Sequence, residues 1–530
     1  MVNKVKFLTD LANFKLFFII VLLIGIFFRF FNLEQKVYWN DEVYTSLQIA
    51  GYTNTELIQD IAQREIGIED LQKYQRPNSE KDLTDTIQVL ASTDVQLPPV
   101  YFVLTRLWVQ WFGYSVAVVR SLTALFSLLA FPCIYWLCLE LFESSLTGWV
   151  AIALFAVSPF QILYAQEARS YSLWALTTLL ASAALLRAMR LKTRLNWGIY
   201  AATIVLNLYT YLLSVVVILG HGIYVGIREK FRWSQSVKAY LLAFLSGIVA
   251  FFPWLIFIAA NDFDLGGNWA RREIPFTLLI QRWILNLASV FFDPQIGYAE
   301  PLFDMQTAQD VQLDYNDPII YIILPIVILV GYSIYFLCRQ SPQKTWLFIL
   351  TLIGVTGAVI VLPDLMSGGQ RSTAGRYLIP CYLGIELAVA YLLATKISTP
   401  PIKKQQLWRL VTVALISLGV ISCTISSQAE TWWNKYSSYY NHQEARLINQ
   451  ATHPIVITSN STQLLSLSYL LDSKVRLQLV PKDTVPAIPQ GFSDVFLYRL
   501  SPDVRQTLEQ TQRLKMNLLH KQGNLWKLET

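Results

Sequence analysis

The run LFFIIVLLIGIFFRFF, residues 16–31, decides how this chain is read. It follows Lys4, Lys6 and Lys15 and ends in Arg29 and Phe30-Phe31, with no small-residue cleavage site behind it. That is the pattern of a retained signal-anchor helix rather than a removed signal peptide. The cations ahead of it predict a cytoplasmic start. Directly after it comes YWNDEVY, residues 38–44, which sets two adjacent carboxylates, Asp41 and Glu42, among aromatic side chains at the far end of the helix.

Similar runs recur. Of 530 residues, 54% are apolar and only 15% charged, where a soluble protein carries about a quarter charged. Each long run approaches the ~20 residues that a spanning helix needs. The spacing predicts about eleven spans, at 14–32, 116–142, 146–164, 170–187, 196–212, 213–227, 239–260, 318–338, 344–363, 376–395 and 408–426. The stretch 98–112 is short and carries Arg106, and reads as an interfacial or re-entrant helix. The fold class expected is a mainly α polytopic membrane helix bundle with an external interfacial-helix segment and a small C-terminal α/β domain.

Charge tests the count. With the N-terminus inside, the cytoplasmic loops hold Arg187, Arg190, Lys192 and Arg194, then Arg228, Lys230, Arg232 and Lys238, then Arg339 and Lys344, and last Lys396, Lys403, Lys404 and Arg409. Were 98–112 a full span, this bias would invert. The expected organisation is therefore a transmembrane domain over 1–426, with external segments at 33–115 and 261–317, and an extracytoplasmic domain over 427–530. In that last part, strand-like runs at 454–458, 475–480 and 494–498 alternate with helix-like runs at 442–450, 462–471 and 503–515. The net charge of +6 sits in short inter-helix loops, which argues against nucleic acid as a partner. The five cysteines, Cys133, Cys138, Cys338, Cys381 and Cys423, lie in or beside apolar runs and show neither metal-ligand spacing nor a disulfide framework. No Walker loop, zinc motif or dinucleotide fingerprint is present, and His221, His442, His453 and His520 are scattered.

Four features could carry chemistry. Asp41 and Glu42 fit either a partly desolvated base or solvated acids beside an interfacial belt of Trp39 and Tyr44. Gln166-Glu167-Ala168-Arg169-Ser170-Tyr171, between the third and fourth spans, fits either a polar cavity at a membrane boundary or a surface ion pair of small energetic value. Asp94 precedes Pro98-Pro99, whose prolines are helix-start signals. Gly368-Gly369-Gln370-Arg371 leads to Gly375-Arg376-Tyr377, where glycines admit close backbone approach and Arg376 offers a planar fork for a phosphate. Arg271 and Arg272 are weaker candidates of that kind.

The order of these motifs resembles the C-type membrane glycosyltransferases. It runs from the Asp-Glu pair after the first helix, through Pro98-Pro99 with its interfacial helix and Ser158-Pro159-Phe160 leading into 166–172, to Arg376-Tyr377-Leu378-Ile379-Pro380. The likeness covers about residues 14–430. It is nearest to the bacterial branch of protein O-mannosyltransferase-like, aminoarabinose-transferase-like and galacturonosyl-transferase-like enzymes (glycosyltransferase family 39-like). The resemblance implies inverting transfer of a monosaccharide from a polyprenyl-phosphate carrier to a lipid, glycan or protein acceptor outside the inner membrane. It implies Asp41 as the catalytic carboxylate with Glu42 beside it. Glu167 matches a second external acid, which in some relatives binds a metal ion or orients substrate, and Arg376 and Arg169 would hold the carrier phosphate. Tyr171, Tyr377 and Asp94 complete the expected substrate-binding set, and Asp41, Glu167 and Arg376 are expected to meet at one watery pocket on the far side of the bilayer from the N-terminus. A divalent metal ion enters only through this resemblance, and no other cofactor is implied. Leu97 departs from the pattern, since many relatives carry a polar residue before the proline pair. The alternatives are a lipid-linked sugar flippase or other transporter, for which internal repeats and midplane charges are the expected signs, and an inactive scaffold with an external binding domain.

Overall fold

The computed structural model describes residues 2–261, 267–295, 316, 318–482, 484–512 and 515–529. Of the expected second external segment, residues 262–266, 296–315 and 317 therefore lie outside the described residues. The chain forms two compact units. One holds Met1–Leu33, Val95–Tyr101 and Arg120–Gln428; the other holds Glu34–Asp94, Phe102–Val119 and Ala429–Thr530.

Seven described helices are long and apolar enough to cross a membrane, and a bent pair makes an eighth. Helix Val116–Phe142 has the expected bounds. The hairpin expected at 196–227 forms as helices Arg194–Thr210 and Ser214–Arg228, of 17 and 15 residues, both shorter than a perpendicular span needs. The first helix contributes Leu16–Phe30 as a shorter apolar segment.

The expected continuous span 146–164 is broken. Helix Ser145–Ala156 ends, Ser158 caps a second helix, Pro159–Ala165, and the two are bent by 63°. Pro159 has no N–H to continue the ladder, and the last carbonyls of the first helix need other donors. Arg29 supplies them. Its fully buried guanidinium donates to the Phe155 and Ala156 carbonyl oxygens at 3.0 and 2.7 Å, to Gly25 O and Ser127 Oγ at 2.8 Å each, and packs on the Phe131 ring. An arginine is costly in hydrocarbon; here its donors meet the carbonyls that the break exposes. Gly25 permits the approach, because a Cβ there would stand 2.4 Å from Ala156 O.

The second unit contains a six-stranded sheet of order β1-β3-β2-β4-β6-β5. The strands are β1 Glu65–Ile66, β2 Pro454–Thr458, β3 Arg476–Leu479, β4 Asp494–Tyr498, β5 Lys515–His520 and β6 Leu525–Glu529. The central three are parallel and the flanking three pair antiparallel. β2 and β4 bury Ile455, Ile457, Val495 and Leu497 against Leu508 and Leu528. β1 comes from the first long segment and pairs Glu65 with Gln478. The helix expected at 503–515 is Pro502–Gln512, and Lys515 instead opens the unforeseen β5–β6 hairpin.

Helix Val100–Phe112 turns Arg106 inward, where it is buried and donates to the Ile49 carbonyl oxygen at 2.7 Å and to Thr86 Oγ1 at 3.1 Å. Leu104, Leu107 and Trp111 stand exposed three and four residues apart. That face suits a membrane surface.

Helix Asn441–Asn449 buries Glu444, whose carboxylate oxygens meet no hydrogen-bond donor among the described residues. Burial pushes this carboxyl up to about 7 from the ordinary 4.5, with the Arg499 charge pulling the other way. The folded chain thus holds the proton more tightly than the unfolded one. The stabilisation is complete below about pH 4.5 and is lost as pH rises to about 7. Glu444→Gln should therefore melt above wild type at alkaline pH and level with it near ~pH 4, in thermal scans across pH.

Candidate active site

In the second unit, helix Asn40–Ala50 starts at Trp39 and carries Asp41 and Glu42 in its first turn, where carboxylates interact favourably with the helix dipole. The two neighbours have different surroundings. Glu42 is fully buried. Its Oε2 accepts from the Trp39 N–H at 3.3 Å and from Lys435 Nζ at 3.4 Å. Lys435, from the short turn Trp433–Ser438, is buried too, with its ammonium 5.1 Å from the centre of the Trp39 ring. Asp41 is half-buried, about 100° around the helix from Glu42.

Tyr44 and Gln48 continue the Asp41 face at three- and four-residue spacing. The Tyr44 hydroxyl accepts from Thr462 Oγ1 at 3.2 Å. Burial raises that phenol above its ordinary range, the Thr462 hydrogen bond pulls it back, and the charges of Asp94 and Asp41 raise it further. Gln48 Nε2 donates to Asp94 Oδ2 at 2.7 Å. Asp94 is thereby drawn to the same side of the helix as Asp41.

In the first unit, the break at Pro159 delivers residues 166–170 to the start of helix Tyr171–Leu191. Gln166 Nε2 anchors this loop to the end of the first helix, donating to Phe28 O at 2.7 Å and Phe31 O at 2.9 Å. Ser158 Oγ donates to Val290 O at 2.7 Å and Ser172 Oγ to Tyr164 O at 3.0 Å. Glu167 is fully buried and Arg169 and Tyr171 nearly so. Tyr164 lies in electrostatic range of Glu167, Arg376 and Tyr171, and Tyr211 in range of Tyr171, Tyr377, Arg376 and Arg169. Five residues singled out in the sequence thus gather around two tyrosines. Edge-on ring contacts of Tyr171 with Tyr164 and Tyr211, at 5.2 and 6.0 Å, hold that wall in place.

Arg376 arrives on a clamped loop. Helix Gln343–Ser367 ends at Gly368, and Gly369 fits because a Cβ there would stand 2.9 Å from both Ala270 O and Asp364 Oδ1. Asp364 Oδ2 accepts from the Ser372 N–H at 2.6 Å and from its hydroxyl. Gln370 bridges Trp269 O at 2.8 Å and the Arg282 guanidinium at 2.6 Å. Asn286 Nδ2 donates to Thr373 O at 2.6 Å. Arg376 is buried, its guanidinium 5.7 Å from the Trp269 ring centre and 5.3 Å from that of Tyr377, two rings that stack at 16°. Both rings offer the cation a favourable face. Arg271 and Arg272 are exposed and Arg371 half-buried.

Sequence reading missed the supports of this loop. Arg282 and Asn286 sit four apart on helix Phe276–Ala288, whose amphipathic pattern was the available signal. It also missed Lys435 and the fully buried Asp293, which nothing in their local sequence marks. Among the described residues, no three His, Cys, Asp or Glu side chains form a group able to hold a metal ion. Glu167, with Arg169 and Arg376 for company around Tyr164 and Tyr211, does not by itself compose such a donor set.

The fold is that of the C-type membrane glycosyltransferases. Solved structures that it resembles include those of ArnT from Cupriavidus metallidurans. In the apo state ArnT matches with TM-score 0.54 and 12% identity over 98% of each chain. Bound to undecaprenyl phosphate it matches with TM-score 0.51 and 11% identity, again over 98% of each chain. An apo structure of the Archaeoglobus fulgidus oligosaccharyltransferase matches with TM-score 0.48 and 13% identity, over 88% of this chain and 64% of that one. No family model matches the chain, and no curated protein matches it in sequence.

Proposed function

We propose that this protein is a membrane glycosyltransferase. It moves a monosaccharide from a polyprenyl-phosphate carrier to a lipid, glycan or protein acceptor, in the inner membrane, with its reacting groups and C-terminal domain on the extracytoplasmic side. The observation that supports the reading is the buried Arg376 guanidinium, placed over the Trp269 and Tyr377 rings and sharing Tyr164 as a neighbour with Glu167, in a fold shared with ArnT, one of whose structures holds undecaprenyl phosphate.

In this reading Asp41 takes the proton of the acceptor hydroxyl. The acceptor oxygen bonds to the anomeric carbon as the bond from that carbon to the phosphate oxygen breaks, so the configuration inverts. The polyprenyl phosphate departs with the electron pair. Arg376, with Arg169, neutralises its growing charge. Glu167 orients the sugar or the arginines. Glu42, buried against Lys435, positions the helix that carries Asp41 rather than touching substrate.

The test is to incubate the purified protein with a panel of polyprenyl-phosphate sugars and measure free carrier phosphate. Release should follow one sugar class. Arg376→Gln should slow it about 10²–10³-fold, with Arg376→Lys recovering part, since charge is kept and the fork is lost. Transport of intact lipid-linked sugar with no carrier phosphate released would establish the flippase instead. A reporter fused after Thr530 reads the orientation; a cytoplasmic signal would refute it.

A further inference from the structure

Helix Tyr171–Leu191 has the Glu167 loop at one end and Lys192 at the other, about 30 Å away. At the Lys192 end a cavity of about 360 Å³ opens between helices Arg194–Thr210 and Gln235–Ala260. Its mouth carries Lys192 and Arg194, with Trp197 beside them. Inward, Gly198 and Ala201 face Ala239 and Ala243, and these small residues leave the room. The lining on the second helix runs from Gln235 to Ser246, about 16 Å along its axis. Leu242 of the lining is exposed, and with the exposed Leu245 and Val249 it forms part of the apolar outer surface of that helix.

Three observations say what the mouth is built for. First, neither Lys192 nor Arg194 pairs with an acid among the described residues, although Arg190 two residues earlier takes both oxygens of Glu140 at 2.8 Å. Second, Lys192 sits at φ 54°, in the left-handed region. That left-handed cap ends helix Tyr171–Leu191 and turns the chain so that Lys192 and Arg194 line the same cavity. Third, Thr193 caps helix Arg194–Thr210 at this point, adding the positive end of that helix to the two cations. The next turn on this face brings Arg228, Lys230 and Arg232 with the exposed Phe231 and Trp233, the composition of a membrane–water boundary.

We propose that this cavity binds an anionic phospholipid. Its phosphate lies between Lys192, Arg194 and the start of helix Arg194–Thr210, and an acyl chain lies in the groove of small residues. The site is separate from the glycosyl-transfer residues and holds the short helix hairpin in the leaflet where it ends.

The experiment is native mass spectrometry of the full chain released from nanodiscs of mixed phosphatidylglycerol and phosphatidylcholine. Wild type should retain phosphatidylglycerol preferentially. Lys192→Gln/Arg194→Gln should lower that retention about thirtyfold, the effect of two interfacial charges. Ala243→Phe, which fills the groove and keeps the charge, should lower it as well. Carrier-phosphate release should be unchanged in both. Undiminished retention in either folded variant, equal retention of phosphatidylcholine, or equal thermal stabilisation by inorganic phosphate alone would overturn the assignment.

Discussion

Asp41→Asn is expected to lower sugar transfer by about 10²–10⁴-fold, the usual worth of a positioned general base, with expression and membrane insertion intact. The substitution keeps the size of the side chain and its place on the first turn of helix Asn40–Ala50. It removes only the ability to take a proton. Asn is also a good residue near a helix start, so the helix should persist. The measurement is carrier-phosphate release by purified protein with the sugar donor that wild type accepts. Near-normal release would remove Asp41 as the base. Loss of release together with loss of folded protein would show a structural role, which is why the melting temperature is read on the same sample.

The second large effect is expected at Lys435. Lys435→Met leaves Glu42 buried without its cation, and breaking such a pair costs about 3–5 kcal/mol. The melting temperature should fall sharply, and transfer with it. Adding Glu42→Gln to Lys435→Met replaces the ion pair by neutral groups and should recover most of the stability. Because Lys435 does not touch substrate in this reading, the double variant should also recover kcat while keeping the wild-type KM for the donor. A double variant as unstable as the single one would mean that the loss comes from packing around Trp39 rather than from charge.

Much of the helical unit could be read from hydropathy, because spans of the length of Val116–Phe142 leave few alternatives. Strands β2, β3 and β4 were readable for a similar reason: short β-rich runs between turn signals. The closeness of Glu167 and Arg376 to Tyr164 was reachable by counting spans, since two loops on one face of a bundle can share a neighbour. The rest depends on partners far apart in the chain. The break at Pro159 looks like an ordinary proline until Arg29, more than a hundred residues earlier, is seen to supply the lost donors. Glu42 and Asp41 look alike until Lys435 is placed against one of them. The β5–β6 hairpin was hidden because LLHKQGN breaks the alternation on which strand reading rests.

The pairing of β1 with β3, and of Glu42 with Lys435, has a consequence for biosynthesis. Residues 34–94 leave the ribosome early, and the segment that completes their fold is made only after all the helices of the other unit. Until then Glu42 lacks its Lys435 partner and β1 lacks its neighbour β3. A chain cut before residue 429 would therefore lack both of these partners.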